Sequence, residues 1–239
     1  MTSQFAHLLK KAVQDIQTNN LASAKMHLNE VLKLEKSHPD ALRFMGIVAA
    51  LQKEWGQALV WVDLALKVNP QNGIAHSNRG NILGELGRYQ EALRCYEQAI
   101  SLEPLYAEAY CNQGNTLQVL GRYQEALASY EKAVKLDPSY AQAFYGVARL
   151  FNLRMQYEYA LGCCDQALRI NSRYEAAQEL KANIFSQVKD YQNALDAYDD
   201  LLLLNPQSSK AWIAKGNIYA EMKEFVKART SFFNAFSIK

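Results

Sequence analysis

Residues 87–93 read Gly-Arg-Tyr-Gln-Glu-Ala-Leu, and residues 121–127 read the same seven letters. The two copies are 34 residues apart, since 121 − 87 = 34. The same offset runs through the chain without a gap and divides it into seven repeats, at residues 5–38, 39–72, 73–106, 107–140, 141–174, 175–208 and 209–239. A fixed period of about 20–50 residues indicates a chain built from one supersecondary unit repeated in series.

Within the repeat, numbered from position 1 to position 34, several positions keep one size class. Position 8 is always Gly or Ala, position 17 is always bulky, and position 32 is Pro in four repeats. Position 20 is alanine throughout: Ala24, Ala58, Ala92, Ala126, Ala160, Ala194 and Ala228. Small residues let two helices approach closely, and the bulky residue at position 17 is expected to fill the space beside that contact. Proline cannot continue a helix, so it ends the second one.

Each repeat contains two amphipathic stretches, because apolar residues recur three and four positions apart. In the fourth repeat Gly121 lies between them and permits a turn. A single helix hairpin cannot bury its apolar face, so the units must stack. The sequence therefore predicts an all-α solenoid of seven helix–turn–helix units, with about fourteen helices and no strands.

These columns resemble the tetratricopeptide repeat family, whose pattern has Trp or Tyr at position 4, Leu at 7, Gly or Ala at 8, Ala at 20, Phe or Tyr at 24, Ala at 27 and Pro at 32. The resemblance covers residues 5–239 and implies a single domain, wound as a right-handed superhelix with a concave groove lined by the first helix of each repeat. The main departures are at position 7: Lys11, Arg79, Gln113, Lys181 and Lys215.

The resemblance also implies that positions 2, 5, 6, 9, 12 and 13 face the groove. Asparagine, a mediocre helix former, recurs there. An amide offers both a donor and an acceptor to an extended peptide backbone, and the pattern resembles the asparagine ladder of O-linked N-acetylglucosamine transferases. The alternative is that Asn at position 9 is only a habit of the family. The predicted peptide-binding residues are Asn78, Asn81, Asn112, Asn115, Tyr145, Arg149, Asn183 and Asn217.

A second binding mode of the family is a two-carboxylate clamp for a chaperone C-terminus. This chain matches the clamp pattern only at Asn81 and Asn112. Where the clamp has cations, this chain has Ser77, Gln142 and Gly146, so the clamp is not expected.

Composition argues against several other functions. The net charge is +2, from 26 basic and 24 acidic residues, with no basic stripe for nucleic acid. No apolar run approaches the roughly 20 residues that span a bilayer, and no signal peptide is evident, so the predicted compartment is the cytoplasm.

The four cysteines fit reduced thiols. No histidine has ligand or catalytic spacing, so neither an enzyme activity nor a metal or cofactor is expected.

The last helix contains Phe225, Phe232, Phe233 and Phe236. We expect the first two rings to pack inside the repeat and Phe233 and Phe236 to be exposed. An exposed aromatic face predicts self-association or a further domain that covers it.

The predicted function is a protein-interaction scaffold or adaptor that binds an extended peptide or a partner helix in its groove. One alternative is the substrate-recognition region of a larger, glycosyltransferase-like enzyme whose catalytic domain lies elsewhere. Another is an assembly factor that acts through its ends.

Overall fold

In the computed structural model, residues 2–238 are described, and side chains are described for residues 5–238. This part of the chain forms fourteen α-helices and no strand, as predicted. The helices are α1 (Thr2–Gln17), α2 (Leu21–Leu34), α3 (Pro39–Leu51), α4 (Trp55–Val68), α5 (Gly73–Glu85), α6 (Tyr89–Leu102), α7 (Ala107–Val119), α8 (Tyr123–Leu136), α9 (Ala141–Leu153), α10 (Tyr157–Ile170), α11 (Glu175–Gln187), α12 (Tyr191–Leu204), α13 (Ser209–Glu221) and α14 (Phe225–Ser237). Within residues 2–238, no helix is long and apolar enough to cross a membrane.

The chain divides into two compact units, residues 1–129 and 130–239, with the division inside α8. In both units successive helices pack as pairs that correspond to the predicted repeats. The predicted single domain over 5–239 stays a prediction, and the predicted end of the seventh repeat, Lys239, lies outside the described residues.

Every turn between the two helices of a repeat uses a left-handed residue at position 15. Gly87 and Gly121 take this conformation with φ of 73° and at no steric cost. In the other five repeats a residue with a side chain adopts it, with φ between 58° and 62°: Asn19, Lys53, Met155, Lys189 and Lys223. The turn geometry is therefore imposed by the helix pair, and non-glycine residues tolerate it at a local cost.

The helix pairs of the second, third and seventh repeats close on a contact between position 8 and position 24. A Cβ added to Gly46 would lie 2.5 Å from Val62, and one added to Gly80 would lie 2.6 Å from the ring of Tyr96. Real Cβ atoms do not approach neighbours so closely, so the small residue at position 8 lets the second helix come near.

The bulky residue at position 17 is less buried than predicted. The structure contradicts the expectation that Phe225 packs inside its repeat, because 69% of this residue is exposed. Tyr123 is also 46% exposed. Position 17 begins the second helix, where a neighbouring helix covers only part of the ring, so an aromatic residue there need not be core.

Ion pairs explain three of the five departures from leucine at position 7, namely Arg79, Lys181 and Lys215. Position 25 of one repeat faces position 7 of the next, and three such pairs join a carboxylate to a cation: Asp63–Arg79 and Asp165–Lys181, each 2.7 Å apart, and Asp199–Lys215. In each repeat that precedes one of these cations, position 25 is Asp. In the repeats that precede Gln113 and Val147, position 25 is the longer Glu97 or Glu131.

We predict that Met155→Gly raises the free energy of unfolding by about 0.5–1 kcal/mol, because glycine removes the left-handed strain. Met155 is 74% exposed, so little packing is lost. The control is Met26→Gly, at an exposed site inside α2, which should lower stability by about 1 kcal/mol. Urea unfolding measures both, and a loss of stability in Met155→Gly would contradict the explanation.

Candidate functional site

The first unit contains a hollow of about 760 Å³ lined largely by residues of α3, α5 and α7. These are the first helices of the second, third and fourth repeats, which the family resemblance assigned to the groove. Its lining residues are Ile47, Ala50, Leu51, Trp55, Asn78, Asn81, Ile82, Gly84, Glu85, Tyr89, Tyr96, Asn112, Asn115, Thr116 and Val119. The structure thus brings together four of the predicted peptide-binding residues, namely Asn78, Asn81, Asn112 and Asn115.

Asn81 is held in place by a buried tyrosine of the paired helix. The Tyr96 hydroxyl donates a hydrogen bond of 2.7 Å to the Asn81 side-chain oxygen, and Tyr96 is only 3% exposed. Burial raises the pKa of Tyr96 well above its ordinary value, so the hydroxyl stays a donor at neutral pH. The amide oxygen of Asn81 is therefore occupied, and its NH₂ group is the part left to serve a ligand.

The same bond recurs in the second unit. Tyr198 donates to the side-chain oxygen of Asn183 over 2.6 Å, and burial raises the pKa of Tyr198 to about 12. Asn217 lacks this partner, because position 24 of its repeat is Phe232, which has no hydroxyl. Asn81 and Asn183 are thus part of the helix-pair contact with a tyrosine at position 24, which the sequence-based prediction of a ligand-binding role did not include.

Position 6 adds a second amide to the groove. The side-chain nitrogen of Asn78 is buried and has no hydrogen-bond acceptor among the described residues. Such a group is costly unless an acceptor reaches it, so a carbonyl oxygen brought by a ligand would satisfy it.

Ser77, the neighbour of Asn78, is fully buried. Gly146 packs against the Tyr130 ring. Neither Ser77 nor Gly146 can therefore contribute to a two-carboxylate clamp.

The rest of the lining is mainly apolar and carries one charge. Ile47, Leu51 and Trp55 contribute an apolar surface from the second repeat, and Val119 contributes one from α7. The only ionisable carboxylate among the lining residues is Glu85, which is exposed. The hollow therefore offers amide donors and acceptors beside apolar contacts, with negative charge near Glu85.

The other predicted site residues lie in the second unit. The Arg149 guanidinium lies 5.7 Å from the ring centroid of Tyr145, one helical turn away on α9. Tyr145 in turn makes an edge-on contact with Tyr174, at 5.2 Å between centroids. Asn217 is exposed on α13. Tyr145 is therefore part of an aromatic contact within this unit, which leaves Arg149 and Asn217 as the more accessible polar groups.

Sequence reasoning misses three aromatic residues of the hollow. The repeat pattern assigns only packing roles to position 17 (Trp55, Tyr89) and position 24 (Tyr96), yet all three residues line the hollow. A signal for Tyr96 was present, because Tyr at position 24 accompanies Asn at position 9 in the third, fourth and sixth repeats. No comparable signal points to Trp55 or Tyr89.

The reactive side chains include four cysteines and a cluster around Asp15. The four cysteines are free thiols, and burial raises the pKa of Cys111 and of Cys164 to about 12, so these two are protonated at neutral pH. Asp15 accepts hydrogen bonds from Ser23, at 2.7 Å, and from His27, at 2.9 Å. The carboxylate stands between the hydroxyl and the ring, whereas an activated serine needs the histidine as its immediate partner. Within the described residues, no group of three or more His, Cys, Asp or Glu could hold a metal.

Three family models match parts of the chain. Models described as "Tetratricopeptide repeat" match residues 107–140 and 179–236, and a model described as "TPR repeat" matches residues 80–121. No curated protein sequence matches closely enough to count as a relative.

Solved structures of similar fold extend over most of the chain. A tetratricopeptide repeat protein from Parabacteroides merdae is 20% identical with a TM-score of 0.70, and the match covers 99% of this chain and 93% of that one. Pseudomonas aeruginosa pilF is 21% identical with a TM-score of 0.77, covering 92% and 98%. YrrB, described as a TPR protein with an unusual peptide-binding site, is 24% identical with a TM-score of 0.60, covering 74% and 92%.

We predict that Asn81→Ala lowers the free energy of unfolding by about 1–3 kcal/mol, because the buried Tyr96 hydroxyl loses its acceptor. The matched control is Asn217→Ala, at the same repeat position opposite Phe232, which should change stability by less than about 0.5 kcal/mol. Chemical denaturation of both variants measures the difference. Equal losses would show that the hydrogen bond does not set the cost.

Proposed function

Because the chain belongs to the tetratricopeptide repeat family, we propose that it is an interaction scaffold whose first unit binds an extended segment of a partner protein. The observation that carries the proposal is the hollow in which Asn78, Asn81, Asn112 and Asn115 come together beside an apolar surface. The proposal assigns no catalytic step to the chain, and the cytoplasm stays the predicted compartment.

The spacing of the amides suits an extended backbone. Packed helices lie about 8–10 Å apart, so amides at one position of neighbouring first helices recur at about that distance. Three residues of an extended chain span about 10 Å. A peptide running across α5 and α7 would therefore present a backbone group to each helix in turn, and the acceptor-free nitrogen of Asn78 favours a peptide carbonyl there.

The lining also predicts which peptide side chains bind best. Amides that contact backbone groups are indifferent to sequence, so selectivity rests on the other residues. Ile47, Leu51 and Trp55 favour a bulky apolar side chain, and Glu85 favours a nearby Lys or Arg. The likeness to YrrB, whose structure is described as having an unusual peptide-binding site, supports a peptide as the ligand class.

A selection from a displayed library of random 12-residue peptides, with the whole chain as bait, tests this proposal. We expect enriched peptides to combine an apolar residue with a Lys or Arg and to tolerate an internal proline, which a helical ligand would not. A synthetic copy of one such peptide should lose about three- to tenfold in affinity against Asn112→Ala, which corresponds to about 1 kcal/mol. Glu85→Gln should weaken basic peptides selectively.

The control variant is Asn29→Ala, since Asn29 is an exposed asparagine on α2 that does not line the hollow. Binding that is unchanged in Asn112→Ala and Glu85→Gln would overturn the proposal. Peptides with apolar residues three and four apart and no tolerated proline would instead favour a partner helix.

Two alternative functions remain. A role as the substrate-recognition region of a larger glycosyltransferase-like enzyme stays a prediction. A role in assembly through an end of the repeat array is favoured by one observation, the exposed aromatic surface of α14.

A further inference from the structure

The carboxylate of Glu85 lines the hollow without a cation to neutralise it. Among the described side chains, no Lys, Arg or His forms an ion pair with Glu85. Arg88 is the nearest cation along the chain, and its Nε and Nη2 both donate to Glu91, each over 2.7 Å. Glu85 lies one helical turn beyond Asn81 on α5. A free negative charge therefore lies next to an amide of the hollow.

The repeat places the indole of Trp55 near this carboxylate. At the junction of the sixth and seventh repeats, position 17 meets position 13, because the Tyr191 hydroxyl donates to the Glu221 carboxylate over 2.5 Å. Trp55 and Glu85 occupy the same two positions at the junction of the second and third repeats, and both line the hollow. Tyr191 satisfies Glu221 with its hydroxyl, whereas Trp55 has no hydroxyl and contributes an aromatic face.

This combination of an indole and a carboxylate occurs at one junction only. The other junctions pair position 17 with position 13 of the next repeat as Leu21–Leu51, Tyr89–Val119, Tyr123–Leu153, Tyr157–Gln187 and Tyr191–Glu221. Four of these five pairs lack a carboxylate, and in the fifth the carboxylate already accepts a hydrogen bond. A packing rule shared by all repeats therefore does not account for the pair Trp55–Glu85.

Gly84 leaves room beside the pair. It lines the hollow at the position before Glu85, and a Cβ added to it would meet nothing within 4 Å. Gly80, one turn earlier on α5, differs, since its added Cβ would lie 2.6 Å from the Tyr96 ring. Helix packing thus requires glycine at position 80 and not at position 84. The missing side chain of Gly84 widens the hollow where the free carboxylate lies.

From these contacts we propose that this part of the hollow holds an arginine side chain of the bound peptide, with its guanidinium over the Trp55 indole and donating to Glu85. Because this subsite takes one residue of the peptide, it rests on the proposed function. A guanidinium is planar, so it stacks on a ring while its N–H groups reach a carboxylate, whereas the ammonium of lysine is a compact, strongly hydrated charge. Indole attracts a cation more strongly than the other aromatic rings. Ile47 and Leu51 then remain for the apolar side chain.

NMR spectroscopy of the isotope-labelled whole chain tests the subsite with small probes in place of a peptide. The probes are N-acetyl-arginine methylamide and its lysine and norleucine analogues, the last of which is uncharged. We expect the arginine probe to shift the indole N–H signal of Trp55 with a Kd on the order of 1–10 mM. The lysine probe should bind about threefold more weakly or worse, and the norleucine probe should bind most weakly. The signals of Trp61 and Trp212 serve as internal references.

Glu85→Gln keeps the size of the side chain and removes its charge, so it should weaken the arginine probe about fivefold or more. The matched control is Glu221→Gln, because Tyr191 already occupies the Glu221 carboxylate, and this variant should leave the Kd unchanged. Equal affinity for the three probes, a Kd that Glu85→Gln does not alter, or a Trp55 signal that does not shift at tens of millimolar probe would overturn the subsite.

A peptide from the library selection separates failure of the subsite from failure of the proposed function. Replacing its arginine by citrulline, which keeps the shape and loses the charge, should weaken binding to wild type about fivefold or more and change binding to Glu85→Gln little. A peptide that binds Asn112→Ala less well but is indifferent to citrulline would overturn the arginine subsite and leave the proposed function standing. An arginine probe that shifts Trp55 when no peptide binds would overturn the proposed function and leave the arginine site.

Discussion

The close approach of position 8 to position 24 is the contact from which both the helix pair and the position of the Asn81 amide in the hollow follow. Glycine at position 80 leaves room for the ring of Tyr96, since even one added carbon would lie 2.6 Å from it. The ring then extends across the pair until its hydroxyl meets Asn81. One side chain thus serves both helix packing and the lining of the hollow, because the bond that satisfies the buried Tyr96 hydroxyl also fixes the Asn81 amide.

Stacking of successive repeats adds a second, electrostatic constraint. The pairs Asp63–Arg79, Asp165–Lys181 and Asp199–Lys215 each link one helix pair to the next. Lys215 is almost fully buried, so its carboxylate partner matters more than that of a surface lysine. This contact joins neighbouring repeats at three junctions, and the seventh repeat has Phe233 in place of the carboxylate.

The period alone was sufficient to predict fourteen helices and the small residue at position 8, because both recur in register. Together with the family pattern, the period also predicted that Asn78, Asn81, Asn112 and Asn115 lie on one surface, and these four residues line one hollow. It could not show that Tyr96 holds Asn81, since position 24 reads as core by hydrophobicity. Nor could it show that Phe225 is exposed, because a repeat column records residue size and not whether a neighbouring helix covers the side chain.

The central claim, that one hydrogen bond couples helix packing to the groove amide, is tested most directly by a double-mutant cycle on the free energy of unfolding. The variants are Asn81→Ala, Tyr96→Phe and the two combined, since Tyr96→Phe removes the hydroxyl and keeps the ring. The account predicts a coupling energy of about 1 kcal/mol or more, so that the double variant loses less stability than the two losses added together. Additive losses, equal within about 0.3 kcal/mol, would contradict it.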